Sequence, residues 1–279
     1  MAIKILIDSA SDIGKAEADR LGIAMIPMTI TFGDKDYFDG VDLSPDRFYE
    51  KLVSEDELPK TGQVTAYRFK EAFDELTGNG DEVICITISS KLSGTYNGAC
   101  LAAHAYEGKV RVVDSMNACI GERLLCLYAL RLIEEGRTMD EIIPLLEEKK
   151  LKINVMAVIG TLEYLKKGGR ISSAVAFAGE LLSLKPIIAV LDGEVKMIGK
   201  AMGAKKGTML LNKLISEKEV DFTMPYGLVW SGNDQSALEK YRQDCVLSKD
   251  ETEIPTYILG GTIGTHIGPG AVVVAFFQK

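Results

Sequence analysis

Over its first 150 residues the chain alternates short apolar runs with longer polar-faced stretches, and this alternation restricts the fold more than any other feature. The runs at 3–7, 24–32, 82–89 and 109–114 read as strands, with Pro27 near the start of the second. The stretches at 44–54, 66–76, 95–106, 118–135 and 138–149 read as helices. Helix-start signals agree. Ser44-Pro45-Asp46 puts a cap and a proline in a first turn, Thr65 precedes the next helix, and Thr138-Met139-Asp140-Glu141 opens the last. Ser11 or Asp12 is placed to cap a helix ending near Leu21, and 34–43 reads as a polar loop. Strands and helices in this order call for a mainly parallel sheet covered on both faces.

The pattern changes near residue 150. A strand at 152–159 leads into Lys166-Lys167-Gly168-Gly169-Arg170, and Ser172 or Ser173 then caps an unusually apolar helix at 174–184. Runs at 187–191 and 194–198 around Asp192-Gly193 form a hairpin. Helices follow within 203–217 and 235–245, with a strand at 226–231 between them. The last two strands, 254–259 and 271–277, flank a glycine-rich stretch at 262–270 that reads as a loop. Consecutive strands mark this half as α+β. The expected architecture is therefore α/β with two domains: a three-layer α/β/α domain over 1–155 and an α+β domain over 156–279, a division that 279 residues allow.

Charge and composition exclude some function classes. A net charge of -8 is wrong for binding duplex nucleic acid, which needs a basic face. No apolar run reaches the roughly 18 residues of a membrane span. The N-terminal residues enter a strand-like run at once, without the apolar core and cleavage site of a signal peptide, so a cytoplasmic location is expected. Five cysteines form an odd set with no CxxC pair, as expected of buried thiols in a reducing compartment, and Cys119 is the least apolar of them.

Ligands of open parallel sheets sit beyond the carboxyl ends of the strands. Here those ends carry hydroxyls far more often than acid-base groups. Ser93-Gly94 opens a helix, where free amides and the positive end of the dipole attract an anion, and Gly94 permits close approach to the backbone. Thr61 lies in another loop before a helix, and Thr265 and His266 lie in the 262–270 stretch. Each has a plainer reading, as an N-cap or a turn residue. The second histidine, His104, falls in a helix as a surface or packing residue, and the pair forms no zinc motif. Neither a GxSxG elbow nor a GxxxxGK[ST] loop is present. Asp8, Asp12 and Asp114 form an alternative carboxylate set for magnesium, which would make the chain a phosphotransferase or hydrolase. In the apolar helix, Phe177, Ala178, Leu181 and Leu182 either pack in a core or line something apolar. An apolar wall beside anion-binding hydroxyls suits a ligand with an acidic head and an aliphatic tail.

These residues carry a resemblance. Ile7-Asp8-Ser9-Ala10-Ser11-Asp12, Thr61-Gly62-Gln63-Val64-Thr65, Ser90-Lys91-Leu92-Ser93-Gly94-Thr95-Tyr96-Asn97, Leu162 to Ile171 and His266-Ile267-Gly268-Pro269-Gly270 fall in order over nearly the whole chain. Together they resemble the DegV family, whose studied members are fatty-acid-binding subunits of bacterial fatty acid kinase. The resemblance implies a fatty acid in the cleft between two domains, with no other cofactor. It implies that Thr61 and Ser93-Gly94 hold the carboxylate and that His266 with Thr265 shares the pocket. The arginine matched by Arg170 is, in that family, an exposed contact for the kinase. The chain would then be a carrier and not an enzyme: an ATP-dependent kinase subunit phosphorylates the bound acid, and acyl phosphate passes to an acyltransferase of phospholipid synthesis. A lipid-sensing regulator would share the same motifs. Gly62 and Val64 depart from the family's serine and proline, Asn97 from its glutamine, and Gly203-Ala204 from a basic run. Preference for acyl length is not written in these motifs.

Overall fold

A computed structural model describes residues 2–171, 183–247 and 253–279. Its first sheet is parallel throughout. In spatial order it runs β2 (Ala24–Ile26), β1 (Ile3–Asp8), β6 (Glu82–Thr87) and β7 (Val110–Asp114). Ile5, Ile7, Ile84 and Ile86 are buried, as β-branched residues of a sheet covered on both faces should be. Helices α1 (Lys15–Leu21), α3 (Ala66–Thr77), α4 (Thr95–Ala103), α5 (Ile120–Glu134) and α6 (Met139–Lys149) connect and cover its strands. Thr65 caps α3 by accepting from Arg68 N, and Thr138 with Glu141 forms a reciprocal capping box on α6.

A small antiparallel sheet, β4 (Lys35–Phe38), β3 (Thr29–Phe32) and β5 (Lys60–Gly62), stands apart from it, with α2 (Pro45–Ser54) packed beside it. The single strand expected at 24–32 is thus two, broken at Pro27 and Met28 and shared between two sheets. Proline lacks the N–H that would continue the ladder. The polar run 34–43, expected as a loop, supplies β4. Asp12 does not cap α1 either: residues 9–11 form a 3-10 turn and Gly14 occupies the cap position.

The third sheet is mixed, in the order β10 (Glu194–Met202), β9 (Leu184–Leu191), β8 (Ile153–Val158), β13 (Val272–Phe277), β11 (Tyr226–Trp230) and β12 (Thr256–Ile258). Only its β11–β12 pair is parallel. Helices α7 (Glu163–Lys167), α8 (Ala204–Ser216), α9 (Ser236–Asp244) and α10 (Gly261–Ile267) belong to this half. The expected boundary after residue 155 falls inside β8, whose length pairs in the mixed sheet. The apolar helix expected at 174–184 lies outside the described residues except for its end, where Leu184 already belongs to β9.

Helix α5 touches strands of both larger sheets, and one continuous core runs from Ile5 and Ile84 through Leu125 to Val155 and Val273. The result is a two-domain α/β chain with a parallel sheet and a separate mixed sheet. Among the described residues no helix is long and apolar enough to cross a membrane.

Candidate ligand site between the sheets

A cavity of about 190 Å³ opens where the three sheets meet. Thr61 and Gln63 from β5 and its loop, Ser93 and Gly94 before α4, Arg170 after α7, and Thr262 and His266 on α10 line it. The rest of the wall is apolar, with Met28, Ile88, Leu92, Val155, Ile188 and Val273 among its members. Phe177, Ala178, Leu181 and Leu182, expected to line an acyl tail, lie outside the described residues. The β9–β10 hairpin closes part of the wall with Val190 and Val195, and its turn is held where Ser89 Oγ donates to Gly193 O at 2.7 Å.

The stretch 262–270 is not the loop its glycines suggest. Residues Gly261–Ile267 are a buried helix, α10. Its glycines serve packing: a Cβ on Gly264 would stand 2.7 Å from Phe48 Cε1 and 2.8 Å from the Tyr49 hydroxyl. The helical path also corrects one residue. Thr262 and His266, four apart, share the face toward the cavity. Thr265 lies a turn-fraction round the axis, is 4% exposed, and donates to Gly261 O within its own helix at 2.9 Å. Thr265 is absent from the cavity wall, and Thr262 stands there instead.

Two hydroxyls face the cavity, each backed by a second polar group. Thr61 Oγ1 lies 3.0 Å from His266 Nε2. His266 is held neutral: its pKa falls to about 4, through burial first and the nearby Arg170 charge second. Its Nδ1 is buried without a partner. We assign the proton to Nε2, because a bare buried lone pair is more tolerable than a bare buried N–H. Nε2–H then donates to Thr61 Oγ1 and leaves the Thr61 O–H free to donate onward.

Ser93 repeats the arrangement. Its Oγ accepts from Thr95 N at 3.2 Å and sits 2.9 Å from Thr95 Oγ1. Thr95 is fully buried and its oxygen also accepts from Val64 N at 3.2 Å; we assign the shared proton to Thr95, whose O–H then donates to Ser93 and leaves the Ser93 O–H free. Gly94 is needed here for steric reasons. A Cβ would fall 2.1 Å from Gln63 Oε1, so the Gln63 amide packs directly on the backbone. Gln63 and Thr95 both belong to the quoted motifs, but what they touch is visible only in three dimensions.

Arg170, which the resemblance implies to be an exposed partner contact, is half-buried and lines the cavity. It donates through Nε to Leu92 O at 3.3 Å and through a terminal nitrogen to Gly168 O at 2.7 Å. Those carbonyls pull the guanidinium inward, beside His266.

Backbone amides hold the alternative carboxylate set, with Asp12 Oδ2 left buried and without a partner. Asp8 accepts from Ala10 N at 2.9 Å and Ile88 N at 2.8 Å, and Asp12 accepts from Gly260 N at 2.8 Å. Asp114 accepts from Ser90 N at 3.2 Å and Met116 N at 2.8 Å. Among the described residues no three His, Cys, Asp or Glu side chains are grouped to hold a metal ion. Cys119 lines the cavity, and burial pushes its thiol far above the ordinary range, away from the reactive thiolate. His104 is exposed, as expected.

Comparison with known proteins adds an independent line. Residues 2–279 match the model of a family described as uncharacterised, the DegV family. A DegV domain-containing protein of Caldanaerobacter subterraneus subsp. tengcongensis is 35% identical over 282 residues, covering 99% of each chain. Among solved structures, a DegV family protein from Thermus thermophilus reported for fatty acid binding is 32% identical, with a TM-score of 0.89 and 100% of each chain covered. Another, from Eubacterium eligens and loaded with heptadecanoic acid, is 25% identical, with a TM-score of 0.84 over 100% of each chain.

Proposed function

The chain belongs to the DegV family, and we propose that it binds a long-chain fatty acid in the cavity between its sheets. The carrying observation is the cavity's lining: two backed hydroxyls, the backbone before α4 and a guanidinium share a wall that is otherwise mostly apolar. Thr61 and Ser93 donate to the carboxylate, the backbone at Gly94 adds a third approach, and His266 acts through Thr61. Arg170 contributes positive charge beside the head, in place of the exposed partner contact that the resemblance implies. Fatty acids bound by the relatives from Thermus thermophilus and Eubacterium eligens support this reading.

The energetics suit a carrier. Burying the tail contributes roughly 0.8 kcal/mol per methylene. Hydroxyl donors hold the anion without forming a covalent bond to it, so the carboxylate remains available to a partner. Neutral His266 faces Thr61 and not a carboxylate, an arrangement that suits hydrogen bonding better than proton abstraction. We assign the protein the carrier role beside an ATP-dependent kinase: a carboxylate oxygen attacks the γ-phosphorus, ADP departs, and acyl phosphate goes on to an acyltransferase.

Denaturing mass spectrometry of protein purified from bacteria should release a fatty acid, and the emptied protein should rebind oleate or palmitate. A protein that is empty and takes up neither refutes the reading. Turnover of ATP or acyl phosphate by the isolated chain would instead make it an enzyme.

A further inference from the structure

The helix that carries His266 begins among carboxylates of the other domain. The first amides of any helix lack partners within it. In α10 they are met by Asp12 and Asp39: Gly260 N donates to Asp12 Oδ1 at 2.8 Å, Gly261 N to Asp39 Oδ1 at 3.1 Å, and Thr262 N to Asp39 Oδ2 at 3.1 Å. Asp39 is 2% exposed and itself tightly held. Ser9 Oγ donates to its Oδ2 at 3.2 Å, while its own N–H donates to Met28 O at 3.0 Å.

The small antiparallel sheet links this clamp to the ligand site. Asp39 directly follows β4, and Thr61 lies on β5, with β3 paired between them. One rigid three-stranded unit therefore grips α10 twice, at its first amides through Asp39 and one turn later where His266 meets Thr61. A seven-residue helix moves as a body. A shift at its start displaces the imidazole relative to Thr61 by a similar distance, and a hydrogen bond weakens steeply when it lengthens or bends.

We propose that Asp39 is a positioning residue for the head-group site: by capping α10 from the small sheet it sets the Thr61–His266 pair, and through it the donor presented to the bound carboxylate. Asp39 touches no ligand in this scheme, and its effect on affinity rests on the fatty-acid reading above.

The chain has two histidines, so labelling histidine alone gives one imidazole signal from the site and one from exposed His104 as an internal control. Asp39→Asn keeps the side chain's size but turns one acceptor into a donor that faces an amide N–H. The expected result is a shifted His266 signal, an unmoved His104 signal, and oleate affinity reduced about tenfold, the scale of one lost charge-assisted hydrogen bond. In a His266→Ala background, Asp39→Asn should weaken oleate binding no further, because the group it positions is gone. A folded Asp39→Asn protein with an unmoved His266 signal, or an equal loss with and without His266, overturns the proposal. Should that variant fail to fold, Ser9→Ala removes the donor to Asp39 Oδ2 together with the acceptor of Met28 N, and a His266 shift there is required in the same way. If the wild-type protein binds no oleate, the proposed function fails, and the His266 signal alone decides the role of Asp39.

Discussion

Replacing Thr61 by valine separates two effects that the structure assigns to one hydroxyl. Valine keeps the shape of threonine and removes the oxygen, so the wall of the cavity is unchanged in outline. In the free protein His266 Nε2, 3.0 Å from Oγ1, loses its partner while half-buried. An unsatisfied buried polar group costs about 1–3 kcal/mol, so stability should fall by that amount with or without ligand. Binding loses a different interaction, the hydroxyl's donation to a carboxylate, worth about 1.5–3 kcal/mol or roughly ten- to 150-fold in Kd. Because the orphaned Nε2 is present in both bound and free states, it largely cancels from the affinity. Urea melts of the fatty-acid-free protein and oleate titration measure the two separately. Thr61→Ser keeps the hydroxyl and should remain close to wild type in both. Thr61→Val protein with unchanged affinity would refute the placement of the head group, and one with unchanged stability would refute the backing role of His266.

Other perturbations read other parts of the site. A Cβ at Gly168 would stand 2.1 Å from His266 Nδ1 and 3.1 Å from Tyr164 O, so Gly168→Ala should push the imidazole off Thr61 and reproduce the oleate-binding loss of His266→Ala; intact affinity would contradict it. His266 titrates near 4 when folded and near 6.5 when unfolded, so below 6.5 the unfolded chain takes up a proton that the folded chain refuses. Its contribution to stability is therefore present above pH 6.5 and lost as pH falls toward 4, by about 2–3 kcal/mol, and the gap between wild type and His266→Gln in pH-dependent urea melts should show that slope. Asp12 runs the opposite way: burial raises it from 3.8 to about 8, so its penalty grows as pH rises from about 4 to about 8 and levels off above that, and Asp12→Asn should flatten stability over that window in the same melts. Arg123, 1% exposed, pairs with Glu17 at 2.6 and 2.9 Å, donates to Asp12 O and lies 3.9 Å over the Tyr257 ring. Arg123→Ala should cost about 3 kcal/mol in chemical denaturation by stranding Glu17 and separating α5 from the Tyr257 strand, and Arg123→Met should cost less.

Much of the fold can be read along the chain because its signals are local. Thr65 and Thr138 announce their helices through bonds made three residues away, and Asp192-Gly193 announces its hairpin in two residues. Apolar runs such as 3–7 and 82–87 show burial on both faces before any neighbour is known. The same locality explains the misread segment at 262–270. Three glycines there look like turn chemistry, yet three of the stretch's close approaches, to Phe48, Tyr49 and Tyr164, come from residues 100 or more positions away. A helix so rich in glycine has little intrinsic stability. It exists because packing and distant carboxylates supply what propensity does not.

The sequence by itself therefore determined the alternation of strands and helices, the two-domain α/β class, and the residue types of an anion site in motifs spread from Thr61 to His266. Tertiary structure alone decided which members of those motifs meet. It turned Thr265 into its own helix and Thr262 toward the cavity, drew Arg170 inward through two carbonyls, and put Thr95 and His266 behind the two free hydroxyls. It also committed Asp8, Asp12 and Asp39 to amides up to 248 positions away. The division has a physical cause. Helix caps, turns and burial patterns are set by neighbours within a few residues, whereas the direction of a side chain and the partner of a buried hydroxyl depend on contacts between segments whose distance in sequence carries no trace of their distance in space.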